Sequence, residues 1–291
     1  MLKRVAIFSQ DKSRRTIECV SQLVKEMCGR GTFLHIYEKA GEYSSCSGGM
    51  VEKFTRLEDL KELPDIALSV GGDGTYLETV MMVRRLKVPV AGVNTGRLGF
   101  LANIAGDDLS PSLNMLYNGS YDVVERSLLE IASPGAPFTQ GDAIALNEIT
   151  IQKADLNMIT IQVDVNGSYL NTYWADGLII STATGSTAYN LSAGGPILTP
   201  DDRSIVISPI SPHNLTIRPI VISGESTLDI VVEGRGEEYL ATCDFRWNKL
   251  PFSTGLTIRQ SDERLKTIVL HGSDFFTTLR NKLMWGADKR N

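Results

Sequence analysis

Metal-ligating and redox side chains are scarce in this chain. Its 291 residues include four cysteines (Cys19, Cys28, Cys46 and Cys243) and three histidines (His35, His213 and His271). No CxxC pair occurs, so a structural zinc site is not expected. Scattered single thiols fit a reducing cytoplasm better than a disulfide framework. Long hydrophobic runs are missing as well, with no stretch approaching the ~18 consecutive apolar residues of a membrane-spanning helix. Lys3 and Arg4 are followed only by Val5-Ala6-Ile7-Phe8 before Ser9, Gln10 and Asp11, which is too short for a signal peptide. A soluble, unprocessed, cytoplasmic protein is expected, with no membrane partner. Positive charge is not in excess either. The formal net charge is −5, which argues against the basic stripe that nucleic acid requires. Acidity does not exclude an anionic small ligand, because backbone N–H groups bind phosphate without side-chain cations.

What is present falls into two grammars. In the first third, short apolar runs alternate with segments of helical period. Residues 5–9, 33–37, 66–70 and 88–93 read as strands, and 14–28 and 75–86 as helices. Ile17, Val20, Leu23, Val24 and Met27 share one face of the first helix, and the Gly/Ser-rich stretch 40–49 reads as a loop. Continuous apolar strands separated by helices predict an open parallel α/β sheet covered on both faces. From about Tyr121, β-branched runs follow one another: 144–151, 158–165, 178–181, 205–207, 228–232 and 257–258. Asn166-Gly167 between two alternating runs signals a hairpin. The fold expected is therefore α/β plus β-rich, with a β-sandwich-like second domain. Phe275, Phe276, Leu279 and Leu283 mark a last amphipathic helix, with Ser273 as its expected N-cap. The division predicted is 1–115, 116–270 and a C-terminal helical segment 271–291.

Between a buried strand and a helix stands Gly71-Gly72-Asp73-Gly74-Thr75. Glycines let a ligand approach the backbone closely, and free N–H groups with the helix dipole favour phosphate. Asp73 is the odd member, since a carboxylate beside phosphates is repelled. It fits if it orients a hydroxyl nucleophile or a metal ion accompanying the phosphates. A plain turn in which Asp73 caps the helix is the alternative. There is no GxxxxGK[ST]; Leu77 stands where the dinucleotide fingerprint needs its third glycine, and Asn190 where a nucleophile elbow needs its first.

Three further segments accompany the turn. Asn94-Thr95-Gly96-Arg97-Leu98-Gly99-Phe100 follows the fourth strand, at the sheet end where ligands bind in open α/β folds. Asn147-Glu148 interrupts an apolar run, so one of the pair should point into a core or cleft, there to meet a ribose diol or a structural partner. The run 181–197 surrounds Tyr189 with glycines and small hydroxylated residues. These suit ribose, phosphate and a stacked base, or equally a Ser/Thr-rich turn around a core tyrosine. Asp176-Gly177 reads as a turn or as an acceptor for an amide.

Taken together, GGDGT at 71–75, NTGRLGF at 94–100, LNE at 146–148, DG at 176–177, TGSTAYNLSAGGPI at 184–197, His213-Asn214-Leu215, Arg218-Pro219 and the closing FFTTLRNKLMW resemble the bacterial NAD kinases over essentially the whole chain. GGDGT alone is shared with lipid kinases; TGSTAY is much more specific. The resemblance implies ATP with Mg²⁺ or another divalent cation as phosphoryl donor, the metal arriving with ATP rather than bound by protein ligands. It implies NAD as substrate, phosphorylated at the adenosine-ribose 2′-hydroxyl. It further implies a last helix packed on the first domain and a homodimer or homotetramer. Asp73 then resembles the catalytic base, and Asp73 with Gly74 contacts substrate. Asn147 and Glu148 match the dinucleotide-binding pair, and Asp176 the residue facing the nicotinamide amide. Thr187, Ala188, Tyr189, Asn190, Leu191 and Ser192 match the adenosine segment.

Some positions depart from the pattern. Ala183 replaces a common proline, and Arg246 a usual glutamine. Asn157 and Trp174 fall where basic or imidazole groups sometimes occur. A lipid kinase would carry a GTGND-type loop after the fourth strand instead of NTGRLGF. A non-catalytic NAD(P) sensor would lack the aspartate.

Overall fold

The computed structural model describes residues 2–40, 50–96, 99–107, 109–133, 138 and 142–285. Cys46 and most of the 40–49 stretch expected as a loop lie outside the described residues, as do Arg97 and Leu98. The chain forms β1 (Arg4–Phe8), α1 (Arg14–Gly29), β2 (Phe33–Tyr37), β3 (Val51–Phe54), β4 (Ile66–Gly71), α2 (Asp73–Val83), β5 (Val90–Asn94), β6 (Ile104–Ala105) and α3 (Leu109–Asn118). Next come β7 (Tyr121–Ile131), β8 (Ile144–Ala145), β9 (Glu148–Lys153), β10 (Ile159–Val165), β11 (Ser168–Ala175), β12 (Gly177–Ser181) and α4 (Tyr189–Ser192). The last are β13 (Ile205–Ile210), β14 (Ile220–Ile222), β15 (Leu228–Glu233), β16 (Glu238–Cys243), β17 (Arg246–Pro251), β18 (Leu256–Leu270) and α5 (Phe275–Leu283).

Two compact units result: Met1–Glu125 with Leu265–Asn291, and Arg126–Arg264. The chain passes from one to the other within β7 and returns within β18, so neither boundary coincides with a loop or a change of composition.

In the first unit the strands run β5-β4-β1-β2-β3, every neighbouring pair parallel. Residues of β1, β2, β4 and β5 are buried almost throughout, which is why they read as unbroken apolar runs rather than alternating ones. Helix α1 begins at Ser13, whose side chain accepts from Thr16 N–H, and buries Thr16, Cys19, Val20, Leu23, Val24 and Met27. This stripe repeats every three or four residues and joins Val5, Ile7, Leu68 and Val70 in one core. Helix α5 belongs to the same unit and its Phe275 ring lies 6.5 Å from that of Phe100. Its N-cap is Asp274, which accepts from Phe276 and Thr277 N–H, and not the expected Ser273.

The second unit is antiparallel. One sheet runs β14-β13-β12-β9-β16-β17, and in the other β10 lies between β11 and β15, with β18 beyond β15. Alternate residues of both sheets (Ile159, Ile161 and Val163 of β10; Ile149 and Ile151 of β9; Leu178 and Ile180 of β12) enter a common core, as in a sandwich. Asn166 and Gly167 both take positive φ, 50° and 77°, in the hairpin between β10 and β11.

One expected strand is broken. The run 144–151 divides into β8 and β9, with Leu146 and Asn147 between them. The reason is chemical: a carboxylate from another hairpin takes the N–H groups of this stretch, as described next.

Candidate active site

Helix α2 starts at Asp73, with Gly72 at its N-cap and no side chain capping it. The Asp73 carboxylate does not bond its own helix. Its Oδ2 accepts from Phe100 N–H at 3.1 Å, and its Oδ1 from Leu101 and Ala102 N–H at 3.2 and 3.1 Å. The reading of Asp73 as a plain helix cap therefore does not describe it. A carboxylate offers about four acceptor positions, so these three bonds fix the group and leave Oδ2 room for one more donor. Close approach to Gly99 is part of the arrangement, since a Cβ there would stand 1.9 Å from Asp73 Oδ1.

The loop carrying these donors is tied to the glycine turn at its start. Thr95 N–H donates to Gly71 O at 3.2 Å, and the buried Asn94 folds its Oδ1 onto Gly96 N–H at 2.7 Å. Asn94 thus shapes the loop, while Gly74 is exposed on the first turn of α2. Lys282 of α5 sits over the Phe100 ring, its Nζ 4.3 Å from the centroid. Burial lowers its ammonium below the ordinary lysine range, and the Asp73 charge works against that.

In the second unit, Asn147 and Glu148 are both buried. Behind them Asp244, in the turn between β16 and β17, accepts from Leu146, Asn147 and Glu148 N–H at 2.8, 2.8 and 3.3 Å. The Asp244 N–H in turn donates to Glu148 O at 3.0 Å. A carboxylate thus replaces a neighbouring strand over this stretch, which explains the break in the apolar run. Burial raises the Asp244 carboxyl, against the pull of those amides and of Arg246. The Arg246 guanidinium donates to the Asp142 and Ile144 carbonyls and is itself buried, so it serves the fold of this segment.

Asn147 Oδ1 and Glu148 Oε2 are buried and have no hydrogen-bond partner among the described residues. Burial, reinforced by the Asp244 charge, pushes the Glu148 carboxyl up to about 8, while the Tyr189 N–H pulls the other way. Buried acceptors without donors are rare because each costs about 1–3 kcal/mol. Their pairing on adjacent residues marks a place for a ligand that brings hydroxyls or amides.

The run after β12 is laced to the same segment. Thr182 Oγ1 donates to Leu146 O at 2.6 Å and Thr182 N–H to Asn147 O at 2.9 Å. Gly185 passes so close that a Cβ there would lie 2.0 Å from Asn147 O. Ala183 has φ −58°, a value that proline also takes, so its presence leaves the backbone path unchanged. Thr187, Ala188 and Leu191 are half-buried and Ser192 is exposed. The Tyr189 ring, 38% exposed, joins Asp176, Lys153, Gln152 and Leu156 around a cleft of ≈ 550 Å³. Asp176 holds an ion pair with Lys153 at 2.7 Å. Asn190 differs from its neighbours. It is fully buried, donates to Ser186 and Pro196 O, and accepts from Ser208 Oγ at 2.6 Å, so its side chain ties the loop together. Trp174 is exposed, and Asn157 bonds Asp155.

Sequence models of two domains match the chain: the ATP-NAD kinase N-terminal domain over residues 5–121 and the ATP-NAD kinase C-terminal domain over residues 146–270. The chain belongs to the ATP-NAD kinase family. An NAD kinase of Flavobacterium johnsoniae is 46% identical over 78% of each chain. That of Flavobacterium psychrophilum is 39% identical over 99% of this chain and 100% of its own length. Two solved structures share the fold: yeast NADH kinase complexed with NADH (TM-score 0.85, 20% identity, 98% of this chain and 89% of that one), and an NAD kinase from Archaeoglobus fulgidus in complex with ATP (TM-score 0.73, 24% identity, 97% and 99%).

Within this NAD kinase family member, the first unit brings Asp73 and Gly74 together with residues 94–96 and 99–102. In the second, the Tyr189 N–H bonds the Glu148 carboxyl and Tyr189 shares a cleft with Asp176, while Glu148 and Asp176 stand at opposite ends of the β9–β12 pair, beside Ser181 and Gly177. Sequence reasoning noted Asp244 only as the aspartate two residues before Arg246, with no role of its own, and did not single out Lys153 or Lys282. Asp244 at a two-residue hairpin turn was the one legible signal, since an aspartate there favours positive φ, and its φ is 53°. Among the described residues, no group of three or more His, Cys, Asp or Glu side chains is placed to hold a metal ion.

Proposed function

We propose that the chain transfers the γ-phosphoryl group of ATP to the 2′-hydroxyl of the adenosine ribose of NAD, giving NADP. The observation that carries this reading is the pair of partnerless buried acceptors, Asn147 Oδ1 and Glu148 Oε2. A ribose diol supplies the two donors such a pair lacks. Tyr189 offers a half-exposed ring for the base, and the Asp176 carboxylate an acceptor for the nicotinamide amide, once its half-buried ion pair with Lys153 yields or rearranges.

Asp73 is the general base in this reading. Three backbone N–H groups hold its carboxylate rigid, and the remaining Oδ2 position accepts the proton of the attacking hydroxyl. Phosphoryl transfer has a loose transition state, so orienting the nucleophile matters more than ionising it beforehand. The N-terminal turn of α2 receives the donor phosphates, its free N–H groups and dipole offsetting their charge. A divalent cation bound to ATP would neutralise charge on the phosphate oxygens.

The test is a coupled assay of the purified protein with ATP, Mg²⁺ and NAD, read as NADP⁺ through a strictly NADP-dependent dehydrogenase. Formation of NADP⁺ at a rate proportional to protein is expected. No NADP⁺, with phosphate appearing on a lipid acceptor instead, overturns the reading.

A further inference from the structure

The Asp73 turn presents a chemical difficulty. A carboxylate at the mouth of a phosphate site repels the donor, and the described residues that touch it (Gly99, Phe100, Leu101 and Ala102) do so through uncharged groups. Among the described residues, a cation does reach the place, from the far end of the sequence. We propose that the Lys282 ammonium binds the phosphate oxygens of the nucleotide donor at the Asp73 turn. This rests on reading that turn as the donor-phosphate site.

Several placements converge on this. Helix α5 is anchored in the first unit by buried Leu279 and by Phe275 against Phe100. On that helix Arg280 turns back to Thr277 Oγ1 at 2.8 Å. Lys282 instead lies over the Phe100 ring, at 4.3 Å, and Phe100 is the residue whose N–H binds Asp73 Oδ2. Among the described residues, no carboxylate forms an ion pair with Lys282, although Asp73 is close enough for its charge to be felt there. A half-buried ammonium whose described neighbours offer a ring face but no ion pair is poorly compensated for lost hydration. Phosphate oxygens would supply the missing partner and form charge-assisted hydrogen bonds. The bland alternative, a lysine completing the last turn of a helix and stacking on an aromatic, predicts a role in stability alone.

Two variants separate the readings. Lys282→Met keeps the apolar stem over Phe100 and removes the charge, and Lys282→Arg keeps the charge. The probe is ATP with Mg²⁺, titrated calorimetrically without NAD and again under steady-state turnover with NAD. For Lys282→Met, the Kd and KM for ATP should rise at least tenfold, with KM for NAD within twofold of the unsubstituted protein. Lys282→Arg should recover most of the loss. ATP binding within twofold in Lys282→Met overturns the proposal. So does a loss matched by a fall in Tm and not recovered by arginine. Because the calorimetric arm does not depend on turnover, it decides the role of Lys282 even if the wild-type protein makes no NADP⁺, which would count against the acceptor reading alone.

Discussion

The Asp244 carboxylate accepts the backbone N–H of Asn147 at 2.8 Å, from a hairpin turn nearly a hundred residues further along the chain. With the Leu146 and Glu148 N–H groups on the same carboxylate, it bends the segment so that both Asn147 and Glu148 bury their side chains. In an unbroken strand, adjacent residues would face opposite sides.

Replacing Asp244 by asparagine is expected to undo this. A carboxamide has a single acceptor oxygen, and its NH₂ would oppose at least one of the three N–H groups. Affinity for NAD should weaken about tenfold or more while that for ATP stays within twofold, and urea unfolding should show a loss of roughly 1–3 kcal/mol. Unchanged NAD affinity would show that the segment holds its shape without the carboxylate.

Asp73→Asn keeps the size of the side chain and removes the proton acceptor. Turnover should fall by about 10²–10⁴-fold, the usual contribution of a positioned base, with NAD binding retained. If more than about a tenth of kcat survived, Asp73 would be an orienting group rather than the base.

Gly99→Ala tests the same carboxylate without touching it. The added Cβ would fall 1.9 Å from Asp73 Oδ1, so either the loop or the carboxylate must move. A drop in kcat of at least tenfold is expected, with KM for NAD little changed. A variant with normal kcat would mean that the anchoring of Asp73 by the loop has no bearing on the reaction.

Glu148 gives a prediction in pH. Its carboxyl is raised in the folded protein to about 8 from an ordinary 4.5, so between these values the folded state holds the proton more tightly than the unfolded one. Stability from this group is therefore fully present below about pH 4.5 and declines as pH rises through about 8. Glu148→Gln cannot ionise. Its Tm relative to the unsubstituted protein should rise from pH 5 to about pH 8 and level off above that, in parallel thermal scans. A pH-independent difference would place the carboxyl in an ordinary, solvated state. Above about pH 8, where Glu148 is ionised and accepts only, the same variant should lose NAD affinity, since one acceptor of the pair becomes a donor.

Much of the first unit was legible because its strands are buried on both faces and helix α1 is amphipathic, so periodicity reports them directly. The polar strands were harder. Strand β3, the β16–β17 hairpin and the long β18 expose alternate residues or carry charges, and a short polar run resembles a loop until its neighbours are known. The last helix was recognised from its apolar residues, but its cap was placed one residue early, because Ser273 and Asp274 are both good caps and only geometry chooses between them.

By itself the sequence determined the chemistry at each element: a phosphate-binding glycine turn with one aspartate, a polar pair inside an apolar run, and a hydroxyl-rich segment around one aromatic. These are matters of residue type and local spacing. The tertiary structure decided which groups those residues answer to. It turned Asp73 away from its own helix onto the N–H groups of a neighbouring loop. It set Asp244 behind Asn147 and Glu148, turned Asn190 inward and carried Lys282 to the ring beside Asp73. Hydrogen bonds and charges act over a few ångströms whatever the separation along the chain, so such partners are fixed only when the fold brings distant segments together.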